Sequence, residues 1–313
     1  MKNKLILILG IFFPTLVMAA DGGPTFLSNY KAKIELANQD SLRKGAALFT
    51  NYCLSCHSAG LVRYKTVAND LGIDEKKMLE KMLFVANFSK KPEGEAKKIG
   101  ALMTVAMQGE DAKSWFGIPP PDLSVIARSR GADWLYAYLT TFYLDSSPSR
   151  TYGVNNARFP NVSMPHVLWQ LEGLKKGIFD TLVTETTYVL SKDAKGKEVK
   201  IELKVEKKLF DANAKLKNSK LVRETKKAGV DPNNLKLEKR EEKILTGFEM
   251  VQTGLLSEVE YKKAANDLVN FLVYIGEPRK LERQKIGVVV IFFLLILFVF
   301  AYLLKREYWK DVH

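Results

Sequence analysis

The sequence predicts a mostly α-helical domain with loop and β-hairpin insertions, joined to a single C-terminal transmembrane helix. Three observations predict this arrangement. Apolar residues recur at helical spacing before Cys53 and again after Ser257. Residues 199–206 alternate strictly between apolar and charged side chains, which is typical of a strand. Residues 286–304 carry no charge over 19 positions, and a helix of that length is about 28 Å long, close to the thickness of a bilayer core.

The N-terminus has the pattern of a cleaved secretory signal peptide at residues 1–20. Two lysines precede an apolar run, and the small residues Ala19 and Ala20 follow it as candidate cleavage sites. An uncleaved anchor helix is the alternative, but Pro14 interrupts the run and leaves it short for a membrane span. We therefore predict that the chain is exported.

Export of the N-terminus and one later span together predict the topology. Residues 21–285 would form a domain in the bacterial periplasm, residues 286–304 would cross the inner membrane, and residues 305–313 would lie in the cytoplasm. The basic residues that flank the span are too evenly divided to decide its orientation. The signal peptide therefore decides it.

The formal net charge of +13 is high for an exported chain. A strongly basic protein often binds nucleic acid, but a membrane-anchored protein outside the cytoplasm should not meet it. We therefore exclude nucleic acid as a partner. The charge is instead expected to face anionic lipid or an acidic protein.

The only two cysteines of the chain lie in the pentapeptide Cys53-Leu54-Ser55-Cys56-His57. In a helical turn, Cys53, Cys56 and His57 share one face. Two thiols can then bond to the vinyl groups of a haem while the imidazole reaches its iron, which makes C-x-x-C-H the attachment motif of haem c. A zinc site would need four ligands, and only His166 and His313 remain as further histidines. A thioredoxin-like dithiol would require a βαβ context, which the sequence lacks.

Met164 is the predicted sixth ligand of the iron. It lies in a segment rich in glycine, asparagine and proline, residues 152–166, which predicts a loop in which a methionine belongs to no helical packing face. His166 is the rival ligand or the hydrogen-bond partner of a carbonyl. Other methionines occur in pairs at i, i+4 and are expected to fill the core; these are Met78, Met82, Met103 and Met107.

Four helices are predicted around this motif. The first begins at Asp40 or Ser41 and runs to Cys53, with Phe49 either at the haem edge or in the core. The others are residues 74–84, a helix capped by Asp122 after Pro119-Pro120-Pro121 that runs to Phe142, and a helix that begins at Ser257 and ends before Pro278.

Arg128 and Arg130 lie in the first turns of the helix that follows the prolines. A guanidinium group near a haem commonly pairs with a propionate, because its planar donors match a carboxylate. The alternative is that both arginines are solvated surface charges. The residues alone leave these alternatives open.

Residues 174–243 form a basic insertion. The segment holds 19 Lys and Arg against 12 Asp and Glu. We predict a two-stranded hairpin from residues 182–190 and 199–205, followed by a Lys-rich arm at residues 211–243 that is partly helical or mobile. One possibility is that the insertion docks an acidic partner or an anionic membrane. The other is that it is a solvated insertion without a partner.

Four blocks of the sequence resemble the cytochrome c1 family, the haem subunit of the quinol–cytochrome c oxidoreductase or cytochrome bc1 complex, in its proteobacterial form. They are SLRKGAALFTNYCLSCHSAG at residues 41–60, WFGIPPPDLSVIARSRG at 115–131, GVNNARFPNVSMPHVLWQLEG at 153–173 and DLVNFLVYIGEPRKLERQKIG at 267–287. The resemblance covers most of the chain. Residues 174–243 are longer than the family pattern leads us to expect.

The resemblance implies a class I cytochrome c-like haem domain with one covalent haem c. It implies thioether bonds at Cys53 and Cys56, His57 and Met164 as the iron ligands, and Arg130 as the propionate partner, with Arg128 as second choice. The implied function is one-electron transfer in a respiratory chain, as the carrier subunit of a reductase without independent catalysis. The implied partners are cytochrome b, the Rieske iron–sulfur subunit, a soluble or membrane-bound c-type cytochrome and the lipid bilayer, in a dimeric complex.

Two other functions compete with this one. A membrane-anchored c-type cytochrome of a terminal oxidase or reductase would share the haem motif and the anchor. A haem-based sensor would need a signalling domain, for which the nine residues after the span leave no room.

Overall fold

The computed structural model describes residues 25–78, 99–105, 107, 109–192, 198–225 and 234–310. The predicted signal peptide, Met82 and residues 193–197, between the two predicted hairpin strands, lie outside these residues. The helices and strands, in chain order, are α1 (Gln39–Leu48), β1 (Ala59–Arg63), α2 (Tyr64–Leu71), α3 (Glu75–Lys77), β2 (Leu102–Met103), α4 (Gly109–Phe116), α5 (Ile126–Arg130), α6 (Ala132–Thr140), β3 (Phe142–Leu144), β4 (Val154–Asn156), α7 (Trp169–Glu172), β5 (Gly173–Lys192), β6 (Glu198–Phe210), β7 (Leu216–Glu224), β8 (Lys236–Thr253), α8 (Glu258–Gly276) and α9 (Lys280–Tyr308).

The main core forms where α1 crosses α8. Gly45 makes this close approach possible, because a Cβ atom at that position would lie 2.1 Å from the carbonyl oxygen of Asp267. Phe49 is fully buried there, and its ring centroid lies 5.6 Å from that of Phe271. Phe49 is therefore a core residue, one of the two alternatives that the sequence left open.

The first helix begins slightly earlier than predicted. Asn38 is its N-cap, and the Asn38 side chain accepts a hydrogen bond from the Ser41 amide. The predicted caps Asp40 and Ser41 were wrong, because Ser41 is buried and its hydroxyl donates to Asp267 in α8 at 2.6 Å. The helix also widens into a π-turn at Phe49–Cys53 before it ends.

The predicted helix from Asp122 to Phe142 is two shorter helices, α5 and α6. Gly131 separates them with a φ of +87°, a conformation that glycine adopts without strain. Asp122 caps neither helix, because its carboxylate binds residues near the attachment motif instead. The last helix of the domain agrees with the sequence pattern, since Ser257 caps α8 in a capping box with Glu260.

A large sheet replaces the predicted hairpin and arm. Strand β5 pairs in antiparallel fashion with β6, as predicted, and also with β8 along 16 residue pairs from Gly173 to Tyr188. Strand β7 pairs with β6, and β3 joins β5 in parallel at Leu144 and Lys176. The strand content is therefore higher than predicted.

The prediction of a partly helical or mobile arm at residues 211–243 was wrong for its described residues. Strand β7 and the first part of β8 occupy that range. Every residue of β7 is exposed, so charged side chains occur on both faces and no period of two marks the strand. Its strand structure depends on the hydrogen bonds to β6, which a local pattern cannot reveal.

Helix α9 contains the predicted membrane span at residues 286–304. It is the one helix, among the residues that the structure describes, that is long and apolar enough to cross a membrane. Its apolar side chains are exposed rather than packed against the domain. This is the arrangement expected of an anchor that contacts lipid.

Candidate haem site

The attachment motif forms a tight turn after the π-turn that ends α1. The carbonyl oxygen of Cys53 accepts hydrogen bonds from the amides of Cys56 at 3.0 Å and His57 at 2.8 Å. Cys53 is buried, whereas Cys56 and His57 are half-buried. Both thiols are free. The three side chains therefore project from one turn, as the motif predicts.

The His57 ring is fixed by a backbone carbonyl. Its Nδ1 atom lies 2.7 Å from the carbonyl oxygen of Pro121. Because a carbonyl can only accept, Nδ1 carries the proton and Nε2 is left to bind a metal. Burial lowers the pKa of His57, although the Pro121 carbonyl and Asp122 oppose the shift. The neutral form that ligates iron is thereby favoured.

The Pro-Pro-Asp-Leu-Ser segment clamps the chain that follows His57. The Asp122 carboxylate accepts hydrogen bonds from the Ser58 hydroxyl at 2.6 Å and the Gly60 amide at 2.7 Å. Ser124 is buried, and its hydroxyl accepts from the Leu61 amide at 3.0 Å. The clamp holds Pro121 opposite His57. Sequence reasoning missed this contribution of Asp122 and Ser124, although the three prolines indicated a fixed backbone.

The clamp requires an ionised carboxylate at Asp122. Burial alone would raise the pKa of Asp122, but hydrogen bonds from Ser124, Ser58 and Gly60 outweigh burial and lower it. The Asp122 carboxylate is therefore charged at neutral pH.

Two alternatives to haem attachment lose support from this geometry. Burial, with a smaller contribution from Cys56, raises the pKa of the Cys53 thiol to about 12, so Cys53 is a poor redox nucleophile. A zinc site would need further ligands. Within the described ranges, no group of three or more His, Cys, Asp and Glu side chains could hold a metal ion. His313 lies outside those ranges.

The loop that carries Met164 is held by two buried asparagines. The side-chain oxygen of Asn156 accepts from the amides of Arg158 and Phe159, at 2.9 and 3.0 Å, and its amide group donates to the Tyr138 carbonyl. The side-chain oxygen of Asn155 accepts from the Asn161 amide at 2.9 Å. The loop is thus ordered by its own polar side chains.

Met164 lies at the end of a ladder of side chains that begins at the end of α5 and continues along α6. The Arg130 guanidinium lies 5.1 Å from the Trp134 ring centroid, and Trp134 stacks on Tyr138 at 5.0 Å. The Tyr138 hydroxyl donates to the Met164 sulfur at 3.3 Å. Tyr138 also packs against both the core that contains Cys53 and the small cluster that contains Met164. Sequence reasoning missed Tyr138, although its i, i+4 spacing from Trp134 was a signal.

The two candidate arginines occupy different places. Arg130 lines a cavity of about 840 Å³ together with Trp134 and Arg158, next to the ladder. The stem of Arg128 packs at the end of α8, where a Cβ on Gly276 would lie 3.6 Å from its Cγ. Neither cysteine, His57 nor Met164 lines that cavity. Arg130 is therefore the better placed of the two to reach a group near Tyr138.

The rival ligands are engaged elsewhere. The His166 ring stacks on Phe142 with centroids 4.9 Å apart, and its Nε2 lies 2.9 Å from a Glu172 carboxylate oxygen. Met78 and Met103 are fully buried in the main core. Met107 lies outside the two described clusters that contain Cys53 and Met164.

The chemistry of these donors fits a haem c. Two free thiols lie on one turn with an imidazole whose Nδ1 is already engaged, and a half-buried thioether lies in a constrained loop beside aromatic rings. Thiols and an imidazole on one turn, with a thioether on a separate loop, are the donor set of a c-type cytochrome with histidine and methionine ligands. Together with the apolar helix α9, these features define a membrane-anchored c-type cytochrome.

Comparison with known proteins agrees with this class. A model of the "Cytochrome C1 family" matches residues 29–176 and 252–312. The cytochrome c1 of Allochromatium vinosum is 39% identical over 313 residues, which cover all of both chains. A protein of Nitrosomonas europaea named ammonia monooxygenase gamma subunit is 34% identical over 316 residues, again covering all of both chains.

The chain belongs to the cytochrome c1 family. Members carry one covalently bound haem c and are membrane-anchored electron carriers of the cytochrome bc1 complex. The family model leaves residues 177–251 unmatched. These residues contain most of β5 to β8, so the sheet is an insertion relative to the family pattern.

Proposed function

We propose that this chain is the haem-carrying subunit of a quinol–cytochrome c oxidoreductase that accepts single electrons from the Rieske iron–sulfur subunit and delivers them to a c-type cytochrome. A haem c supplies the one-electron chemistry when it is bound. The observation that carries the proposal is the clamp on His57, because it orients a neutral imidazole beside two free thiols. No acid–base residue is required.

Each predicted site residue has one task in this proposal. Cys53 and Cys56 would hold the haem through thioether bonds, and His57 and Met164 would bind its iron. Arg130 pairs with a propionate, with Arg128 as the second choice. Methionine as the sixth ligand gives a higher reduction potential than a second histidine, which suits a carrier that accepts electrons from a high-potential iron–sulfur centre.

The proposal also assigns the topology. Residues 1–20 are removed after export, residues 21–285 form the haem domain in the periplasm, and residues 286–304 anchor it in the inner membrane. Residues 305–313 then remain in the cytoplasm. Cytochrome b lies beside the anchor, and the complex is a dimer as the family implies. The exposed apolar surface of α9 supports the anchor.

Substitution of Met164 tests the ligand assignment. Met164→His and Met164→Lys should leave haem covalently attached, lower the midpoint potential and stop quinol-driven reduction of the acceptor. The control is Met103→Leu, a change of similar volume in the main core. Covalent haem content, redox titration and turnover would be measured on each membrane preparation. Unchanged potential and turnover in both Met164 variants would show that Met164 is not the ligand.

The subunits that co-purify distinguish this proposal from its rival. Oxidase subunits would indicate the membrane-anchored cytochrome of a terminal oxidase. The name of the Nitrosomonas relative associates that protein with an ammonia monooxygenase, so oxygenase subunits would be a further outcome that contradicts the proposal.

A further inference from the structure

We infer that His166, Glu172 and Lys175 form a buried network that positions Met164. The inference rests on the proposed function, since it takes Met164 as the iron ligand. His166 follows Met164 by two residues, and Pro165 lies between them. The proposed function assigns no iron ligand among these three residues, so their role is to position Met164.

The network is unusually well buried for three polar side chains. Those of His166 and Glu172 are 5% and 6% exposed, and that of Lys175 is 10% exposed. His166 Nε2 lies 2.9 Å from one Glu172 oxygen, in ion-pair contact but without an aligned hydrogen bond, and the other Glu172 oxygen pairs with the Lys175 ammonium. Lys175 also donates to the Thr140 carbonyl at 2.8 Å, at the end of α6.

One end of the network fixes the backbone beside Met164. The His166 ring lies parallel to the Phe142 ring, with an interplanar angle of 5°. Phe142 belongs to the small apolar cluster against which Met164 packs. Because Pro165 restricts the backbone between them, an immobile His166 limits where the Met164 sulfur can move.

The other end of the network lies in the inserted sheet and in α8. The Lys175 ammonium, on β5, lies 5.0 Å from the centroid of the Phe248 ring on β8. Tyr261 of α8 donates to the Leu139 carbonyl, and burial together with the nearby Glu172 charge raises its pKa well above the ordinary value. The network therefore connects the Met164 loop to two rigid elements.

Energetics support a positioning role over a purely structural one. Removal of two charges from water costs several kcal/mol for each ion, and apolar residues of similar volume often give a more stable fold. A buried network that fixes one geometry can nevertheless be retained, because it excludes alternative packings of the loop. Here the geometry that it fixes is that of the Met164 loop.

Binding of imidazole to the oxidised, full-length protein in detergent tests the inference. Imidazole can occupy the sixth position only when Met164 has left it, so its apparent affinity rises with the fraction of open loop. We expect Glu172→Gln and Lys175→Met to bind imidazole at least about tenfold more tightly than the wild type, the equivalent of about 1.4 kcal/mol. Covalent haem content should be unchanged. The absorption band that reports methionine ligation should weaken.

Three further variants keep the result interpretable. Lys176→Met is the matched control, because Lys176 is the next residue after Lys175. The Lys176 side chain is 57% exposed, and its one described ion pair is with Glu249. His166→Phe keeps the stack on Phe142 but loses the contact with Glu172. This variant would be measured in place of Glu172→Gln if the latter fails to fold. Met164→Ala marks the fully open site.

The outcomes separate the inference from the function on which it rests. If Met164→Ala tightens imidazole binding and the network variants do not, the network does not position Met164 and the inference is wrong. If Met164→Ala itself changes neither imidazole affinity nor the ligation band, Met164 is not the ligand, and the ligand assignment fails together with the inference. Tighter imidazole binding by Lys176→Met as well would indicate a nonspecific effect of the substitutions and would also overturn the inference.

Discussion

The hydroxyl of Tyr138 contributes to the site through one contact, a hydrogen bond to the Met164 sulfur at 3.3 Å. Burial raises the pKa of this hydroxyl far above its ordinary value, so it remains protonated and can only donate when it faces the sulfur. A donor on the thioether withdraws electron density from it. The contact should therefore favour the reduced iron.

Tyr138→Phe should lower the midpoint potential without loss of haem. A hydrogen bond worth about 0.5–1 kcal/mol corresponds to about 20–40 mV for a one-electron couple. Tyr136→Phe is the control, since that tyrosine lies on the same helix and its ring faces Tyr30 instead. A redox titration of both variants checks the prediction. Equal potentials in Tyr138→Phe and the wild type would contradict it.

Asp145 stabilises the start of the loop that leads to Met164. Burial would raise the pKa of Asp145, but hydrogen bonds from Ser147, Asn155 and Arg150 outweigh it and lower the pKa to about 2. Since the folded-state pKa lies below the unfolded value of about 3.9, this stabilisation is complete above pH 4 and is lost as the pH falls towards 2.

Asp145→Asn should therefore reduce the free energy of unfolding by about 2 kcal/mol at pH 7. The difference from the wild type should stay constant down to about pH 4 and shrink between pH 4 and pH 2. Asp40→Asn is the control, because that carboxylate is mostly exposed and its ion pairs are long. Denaturant unfolding across this pH range measures both. A difference that grows on acidification would contradict the assigned pKa.

At the scale of elements, the inserted sheet presents a row of cations on one face. Register places three cations in this row, Arg240, Lys207 and Lys220 on β8, β6 and β7, with Thr184 of β5 between Arg240 and Lys207. Lys207 and Lys220 are exposed and directly opposite each other, and like charges in such a pair destabilise a sheet. An acidic partner would relieve this repulsion, which favours the docking alternative over an insertion without a partner.

We expect Lys207→Gln with Lys220→Gln to slow electron transfer to an acidic c-type cytochrome several-fold at low salt and to reduce its salt dependence. Lys204→Gln with Lys239→Gln is the matched control. It removes the same charge from the opposite face of the sheet, where each lysine already pairs with a glutamate. Stopped-flow rates across a salt series measure the effect. Equal losses in both double variants would show that only net charge matters.

Deletion of residues 192–243 is a cruder way to test docking, because it changes the fold as well as the charge. That deletion would remove β6, β7 and the part of β8 that pairs with residues 181–188 of β5. It would therefore expose the long edge of β5 and alter the fold together with the charge.

Sequence periodicity predicted some elements well because their signals are local. The capping box at Ser257, the apolar span in α9 and the alternation in β6 all depend on neighbouring residues. Asp122 shows where such reasoning fails. Its position before a helix resembles an N-cap, but its partners Ser58 and Gly60 are more than 60 residues away in sequence and become visible only in the fold.

The same limit applies to the site. C-x-x-C-H is a contiguous motif, so the turn at Cys53 and His57 could be predicted. Pro121 contacts His57, and Tyr138 contacts Met164, from segments that are distant in sequence. The assignment of Met164 remains a prediction, which its loop position and the family resemblance support.

At the scale of the whole molecule, a haem domain with one membrane anchor suits an electron carrier that works at the membrane. The domain joins α9 through residues 277–279 alone, directly after α8. The site lies on segments that pack against α8 through α1 and α6. The haem domain and the anchor are therefore joined by a short link.

The most direct test of this account is purification of the tagged, full-length chain in mild detergent, with redox-difference spectra and identification of every co-purifying subunit. The account predicts one low-spin c-type haem with methionine ligation, together with a cytochrome b and a Rieske iron–sulfur subunit in equal amounts. A c-type haem accompanied instead by oxidase or oxygenase subunits would contradict the proposed complex.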